Sequence, residues 1–490
     1  MSACPLTSFE RLASAIRRTL IITNVLLFVQ GRDSPVIVWE TFPDQDTASA
    51  SEPPARAVFE LYGLTGGVAL ARLAPDAHFL AAASNEGVLM VWDMRTGEQV
   101  AMRRFDQDSA GTGAGARSKG SPVEFIAWGP VQQEGRRPTY SLCVGARGTQ
   151  VLMCTLQFDP RAMAYTLSSE RATLPSTGLR RVFTTAAVCT PAGDLVCGTT
   201  AGEMAVFSIS RKSFIGVFPV TTGGLTALAL GADASVLAGG GDGSVRRFAG
   251  GGREWVCTGE AQGGDGALGA GVTSLSVSAS GDWVLAGTRT GSIVRLAIPS
   301  GGDVGADASK EADGNGGGGQ FPWEVLERSH GAHVHCIAFG AGRADVVATG
   351  GDDGEILVWD LSDYQVLMRA LVSAGGTGVG GGRTSKASPP GATSIQLVPA
   401  GGDADETGGH GPLSSLAGVL SGWEDGKIRM HASPGAVGEL STGAARAAKY
   451  NTRVTSTAAL VVSRSRAEAP LADPQWELDA HRGTVRSVAL

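Results

Sequence analysis

The residues best suited to chemistry in this chain stand together in His330-Gly-Ala-His333-Val-His335-Cys336. Imidazole nitrogens and a thiolate are zinc ligands, and His333 and His335, two positions apart, point to one face if the segment is a strand. No second cluster of ligands completes a four-coordinate set. The plainer reading makes His330 the entry residue of a repeat unit and the segment behind it a strand, and no metal site is expected. Gly376-Thr-Gly-Val-Gly-Gly381 has the GxGxxG spacing of a phosphate loop, but it lies in a Gly-rich tract with no helix behind it to receive the phosphate. Paired carboxylates, a nucleophile elbow and a Walker loop are all missing from a matching strand and helix context. The chain therefore reads as non-catalytic, with no catalytic residues, no cofactor and no small-molecule substrate.

Between Ser441 and Ala467 stand Arg446, Lys449, Arg453, Arg464 and Arg466 without one acidic residue, in a chain of net charge −7. Such a run could dock on an acidic protein surface; the alternative is a solvated insertion with a strand at Leu460-Val-Val. The negative total argues against nucleic acid, whose binders carry a basic domain or stripe. Seven cysteines without a CxxC pair give no disulfide framework and fit a reducing compartment. Arg17-Arg18 followed by the apolar residues 19–29 has the flank and core of a signal peptide or short anchor. That run is shorter than the ~20 residues of a spanning helix. It also contains Asn24 and leads into Pro35-Val-Ile-Val-Trp39 with no small-residue cleavage site. A strand pair, with a short helix ahead of it inside residues 1–18, is the reading adopted, and no membrane span is expected.

What must position all of these is a repeated element. The 490 residues are 43% hydrophobic and 18% charged, a globular balance, and 71 glycines with only 6% aromatics suit many short strands joined by tight turns. One phrase recurs: an apolar strand, a polar turn ending in Gly, then a second strand that often closes on Trp-Asp. Residues 79–93 give it with Asn85, Gly87, Trp92 and Asp93, and residues 346–360 with Asp353, Gly354, Trp359 and Asp360. Weaker copies keep the hairpin around Gly202, Asp242-Gly243, Gly291 and Asp425-Gly426. With Val36 to Glu40, which carries Trp39, and a degenerate copy at Ser141 to Leu156, about eight hairpins are present. Asp-Gly between alternating strands supplies the positive φ of a tight turn. In better copies of such a unit the turn Asp accepts from a buried entry histidine with the Trp packed behind it. Only His330 and His481 are placed for that, so most units are expected to rest on apolar packing alone.

These phrases resemble the WD repeat, and the fold class expected is an all-β WD-repeat β-propeller of four-stranded blades, about 40–45 residues each, carrying insertions. Several runs resemble one family more closely, the cilia- and flagella-associated protein fifty-two family. They are Cys197-Gly-Thr-Thr-Ala-Gly-Glu203, Gly287-Thr-Arg-Thr-Gly-Ser-Ile-Val-Arg295, Ile356-Leu-Val-Trp-Asp360 and, above all, Leu420-Ser-Gly-Trp-Glu-Asp-Gly-Lys-Ile-Arg429. The resemblance covers most of residues 25–490. It implies a structural scaffold in the lumen of the doublet microtubules of the ciliary and flagellar axoneme, part of the cytoskeleton, with tubulin and neighbouring inner proteins as partners. A generic WD-repeat adaptor for complex assembly is the alternative. The resemblance also implies tandem rings. Residues 19–299 would form a first propeller, 300–322 a Gly-rich linker, and 323–490 an incomplete second propeller with blades near 332–361 and 393–432. Its disordered insertions would lie at 374–392, 400–414 and 441–467. The family's opening blade has no counterpart, and the last residues read as the first strand of a blade, so the alternative is that the eight hairpins join into one irregular ring. Closure matters because an open sheet edge is a pairing hazard.

Overall fold

The computed structural model describes residues 25–31, 36–41, 55–65, 68–105, 123–133, 137–146, 148–173, 181–262, 271–278, 280–298, 319–320, 323–326, 330–340, 343–362, 365–372, 389–399, 416–425, 427–432, 474–479 and 485–489. Among the described residues there is no helix, and hence none long and apolar enough to cross a membrane. The described residues form eight sheets, seven of four strands and one of five. Each expected hairpin supplies the second and third strands of one sheet: Phe79–Ser84 with Val88–Asp93 in the second sheet, Arg343–Gly351 with Glu355–Asp360 in the seventh.

The middle strands are continuous apolar runs because both of their faces are covered. All six residues of Phe79–Ser84 and of Val88–Asp93 are buried, whereas the fourth strand of that sheet, Gln99–Arg104, lies at the rim and is half-exposed. The core is accordingly divided into layers between sheets. Seven apolar clusters are present among the described residues, and each draws on two successive sheets. One joins Phe79, Leu89 and Val91 of the second sheet to Tyr140, Leu142 and Leu156 of the third. Another joins Leu285 and Ile293 of the sixth to Val347 and Trp359 of the seventh. Polar links cross the same seams: the Tyr140 hydroxyl donates to Asp76 at 2.6 Å, and the Gly252 N–H donates to Asp194 at 2.7 Å.

The division into two rings expected at residues 300–322 is not how the strands are joined. Gly319–Gln320 adds a fifth strand to the fifth sheet, parallel to Glu254–Gln262, and Trp323–Leu326 completes the sixth sheet against Ile293–Ala297. Most telling is Val485–Ala489, which pairs antiparallel with Val25–Gly31, so the first sheet takes its innermost strand from the far end of the chain. The innermost strands touch in succession from Val68–Leu73 round to Ala392–Pro399, which touches Val485–Ala489, which in turn touches Val68–Leu73. One array of eight sheets results. Local pattern sets the blade; which strand fills the last gap is a pairing between residues far apart in sequence, which no local pattern encodes. Of the apolar run 19–29, residues 25–29 stand in a strand paired with Val36–Thr41. Residues 1–24 lie outside the described residues, as do 108–120, 374–388, 400–414 and 441–467.

Candidate functional site

The seventh sheet holds the fullest polar network. His330, buried at its entry, donates from Nδ1 to the Asp353 carboxylate, whose oxygens lie at 3.0 and 3.1 Å. Its Nε2 meets the Thr349 hydroxyl at 2.9 Å, and the Trp359 indole N–H donates to the same Thr349 oxygen at 3.1 Å. The Nδ1–H tautomer satisfies the whole chain of bonds, running from Trp359 through Thr349 and His330 to Asp353. Asp353 also accepts from the Gly331 and Glu355 N–H groups, which pins the turn to the entry segment. Sequence reasoning placed His330, Asp353 and Trp359 here and missed Thr349, because one threonine within an apolar strand carries no signal of its own.

The other sheets do not rest on apolar packing alone, as expected from their lack of histidine. Where the second strand ends, the second, fourth and sixth sheets bury a hydroxyl: Ser84, Thr199 and Thr288 are fully buried. Thr288 donates to the Ser292 carbonyl at 2.9 Å and accepts from the Ser292 N–H at 3.0 Å; Thr199 clamps Glu203 in the same way. The seventh sheet has Gly351 at that position, where a Cβ would stand 2.6 Å from the His333 carbonyl oxygen and 3.3 Å from His330 Nδ1. A hydroxyl or a histidine holds the turn, and in the seventh sheet the entry segment that carries the histidine leaves room only for a glycine. In the eighth sheet Arg429 supplies the cation, donating to Asp425 at 2.6 Å, and Trp423 donates its indole N–H to Ser421 at 2.8 Å. In the fifth sheet Asp242 accepts from Thr222 and from Ser244. Burial alone would raise its carboxyl, but the Thr221 hydroxyl and the Thr222 and Ser244 donors outweigh it and hold the group well below its ordinary value.

Asp93 and Asp360, the closing residues of their Trp-Asp pairs, shape the next turn instead. Asp93 accepts from the Arg95 backbone at 2.9 Å and its guanidinium at 2.7 Å, and Asp360 accepts from the Ser362 N–H at 2.8 Å. Trp92 is buried between the first two sheets, while Asn85 stands exposed at the turn tip. The turn glycines have a second duty not legible in the sequence: the carbonyls of Gly87, Gly202, Gly291 and Gly354 each accept from an N–H that follows the outermost strand, those of Phe105, Val220, His330 and Val372. Gly243 holds its turn at φ +82°. Trp39 lies in a described strand whose side chain is not described, and Gly426, His481, Arg446, Lys449, Arg453, Arg464 and Arg466 lie outside the described residues.

His333 and His335 do come together, with ring centroids 4.6 Å apart, and the structure adds a carboxylate that the sequence reading passed over, Asp352. The other polar constellations described above hold turns or tie neighbouring sheets together.

Stacked four-stranded antiparallel sheets make the described residues an all-β, propeller-like array, and its seventh sheet carries the Trp-Asp hairpin and His–Asp–Thr–Trp network of a WD repeat. Residues 324–360 match the family described as WD domain, G-beta repeat. No curated protein matches the chain. Among solved structures, the chain is similar to Chaetomium thermophilum Sqt1 bound to the N-terminus of ribosomal protein L10, at 14% identity and TM-score 0.49, covering 73% of this chain and 82% of that one. It is also similar to a chain of the mitotic checkpoint complex, at 11% identity and TM-score 0.42, covering 74% and 79%. The computationally designed Ika8 protein aligns at 15% identity and TM-score 0.47 over 86% of this chain and 89% of that one.

Proposed function

We propose that this chain is a non-catalytic scaffold that binds proteins, and specifically a structural component of the ciliary or flagellar axoneme, seated within the doublet microtubules against tubulin and neighbouring inner proteins. The general part is supported by how the polar side chains are used: among the described residues, Asp353, His330, Thr199 and Thr288 hold turns and Asp194 ties neighbouring sheets together, which leaves the rims and faces of the sheets for partners. The particular part rests on the run Leu420–Arg429, the fullest of the phrases that resemble the axonemal family, which in the structure is the central hairpin of the eighth sheet. The basic run from Arg446 to Arg466 complements the acidic surface of tubulin. Fractionation of motile cilia tests this reading: the protein is expected to stay with the doublet microtubules through high-salt extraction. Recovery in a soluble complex, in cells that build no cilia, would instead favour a general WD-repeat adaptor.

A further inference from the structure

We propose that His333, His335 and Asp352 form a binding site for a first-row divalent cation, Zn²⁺ foremost, at the entry of the seventh sheet. One donor atom from each lies within 4.8 Å of the others. Asp352 sits between the two imidazoles, with Oδ1 2.6 Å from His335 Nε2 and Oδ2 3.8 Å from His333 Nδ1. The Asp352 N–H donates to the His333 carbonyl at 3.0 Å, so the backbone itself ties the carboxylate to the histidine segment.

The repeat shows why this cluster is unusual. The inner strand Val334–Gly340 carries a bulge: Val334 faces Gly351 and Cys336 faces Gly350, which leaves His335 as the extra residue. The fifth, sixth and eighth sheets bulge at the same point, and the extra residues there are Thr226, Thr273 and Thr393. Each of those hydroxyls donates to a backbone carbonyl of its own sheet, at 3.0 Å. In the seventh sheet the bulge aims an imidazole at a carboxylate instead. The His333 ring has no such use: its Nε2 is shielded from solvent and has no hydrogen-bond partner among the described residues.

Two imidazoles and one carboxylate suit zinc and its neighbours better than magnesium or calcium, which take oxygen. Tetrahedral bonds of about 2.0–2.2 Å set the donors roughly 3.3 Å apart, so the Asp352–His335 contact at 2.6 Å opens to admit the ion while His333, at 3.8 Å from the carboxylate, moves in. Arg289 is the charged neighbour that opposes a cation here, and a second carboxylate, Glu424, stands close to Asp352: Asp352 Oδ1 and Glu424 Cδ lie 2.8 and 3.3 Å from where a Gly391 Cβ would stand. Three protein ligands leave a position open to water or to a donor from a bound partner.

The untagged full chain, stripped with a chelator and dialysed, tests this by calorimetric titration with ZnCl₂ and by Co²⁺ absorption. One equivalent of Zn²⁺ should bind, with visible Co²⁺ bands of mixed nitrogen and oxygen ligation. Both should weaken at least about tenfold in His335→Ala and Asp352→Asn, whose metal-free melting should match the parent. Equal binding by parent and variants would overturn the proposal. So would the absence of a Co²⁺ spectrum from the parent in excess metal, a result that does not depend on how the variants fold.

Discussion

Thr349 and Thr288 show how single hydroxyls decide local stability. Thr349 serves two partners at once, so Thr349→Val leaves the Trp359 indole N–H and His330 Nε2 buried and unpaired. A loss of about 1–3 kcal/mol is expected by urea denaturation. A variant as stable as the parent would mean that the network contributes nothing. Thr288→Val should cost a similar amount, because two turn bonds disappear with its hydroxyl. Asp242 predicts a pH signature. Its folded-state carboxyl lies below the ordinary 3.8, so its contribution is complete above that value and fades as the pH falls through the folded-state value. The melting-temperature gap between the parent and Asp242→Asn should be widest near neutral pH and close on acidification. A gap that does not change with pH would show that the carboxylate charge plays no part. The thiols of the buried Cys154 and the half-buried Cys336, both pushed up to about 12 by desolvation, should resist iodoacetamide at pH 8 in the folded chain and react once it is unfolded.

The elements were the most legible level. Apolar runs around Gly turns marked six of the central hairpins clearly and two more weakly, at Val36 to Glu40 and Ser141 to Leu156, because a strand covered on both faces must be apolar throughout and its turn must admit positive φ. Less legible was what the turn residues touch. Gly291 was read as a φ requirement, and it does sit at φ +90°, but a Cβ there would also stand 2.3 Å from the His330 carbonyl oxygen. Strain and collision act together, so Gly291→Ala should cost about 2 kcal/mol or more by thermal melting. A variant that melts with the parent would contradict the close approach. The hydroxyl clamps of Ser84, Thr199 and Thr288 were missed for a related reason: a Ser or Thr before a turn is common, and only the fold shows that its side chain is buried. Asp352 was passed over because Asp353 beside it matched the repeat.

At the scale of the whole molecule, the sequence left two arrangements open, a first ring followed by part of a second or a single ring. The strand pairing selects the single ring. Blade patterns are written locally, whereas the meeting of Val25–Gly31 with Val485–Ala489 depends on every sheet between them stacking in turn. A scaffold of this kind presents fixed surfaces only if that seam is shut, since an open array exposes two edges. The direct measurement is a cross-link at the seam. Val29 and Val488 are paired across it, so Val29→Cys with Val488→Cys should form a disulfide within one chain under mild oxidation and raise the melting temperature. The combination Leu26→Cys with Val488→Cys should not. Thiols that stay free at both substituted positions after oxidation, or disulfides found only between separate chains, would contradict the closed ring.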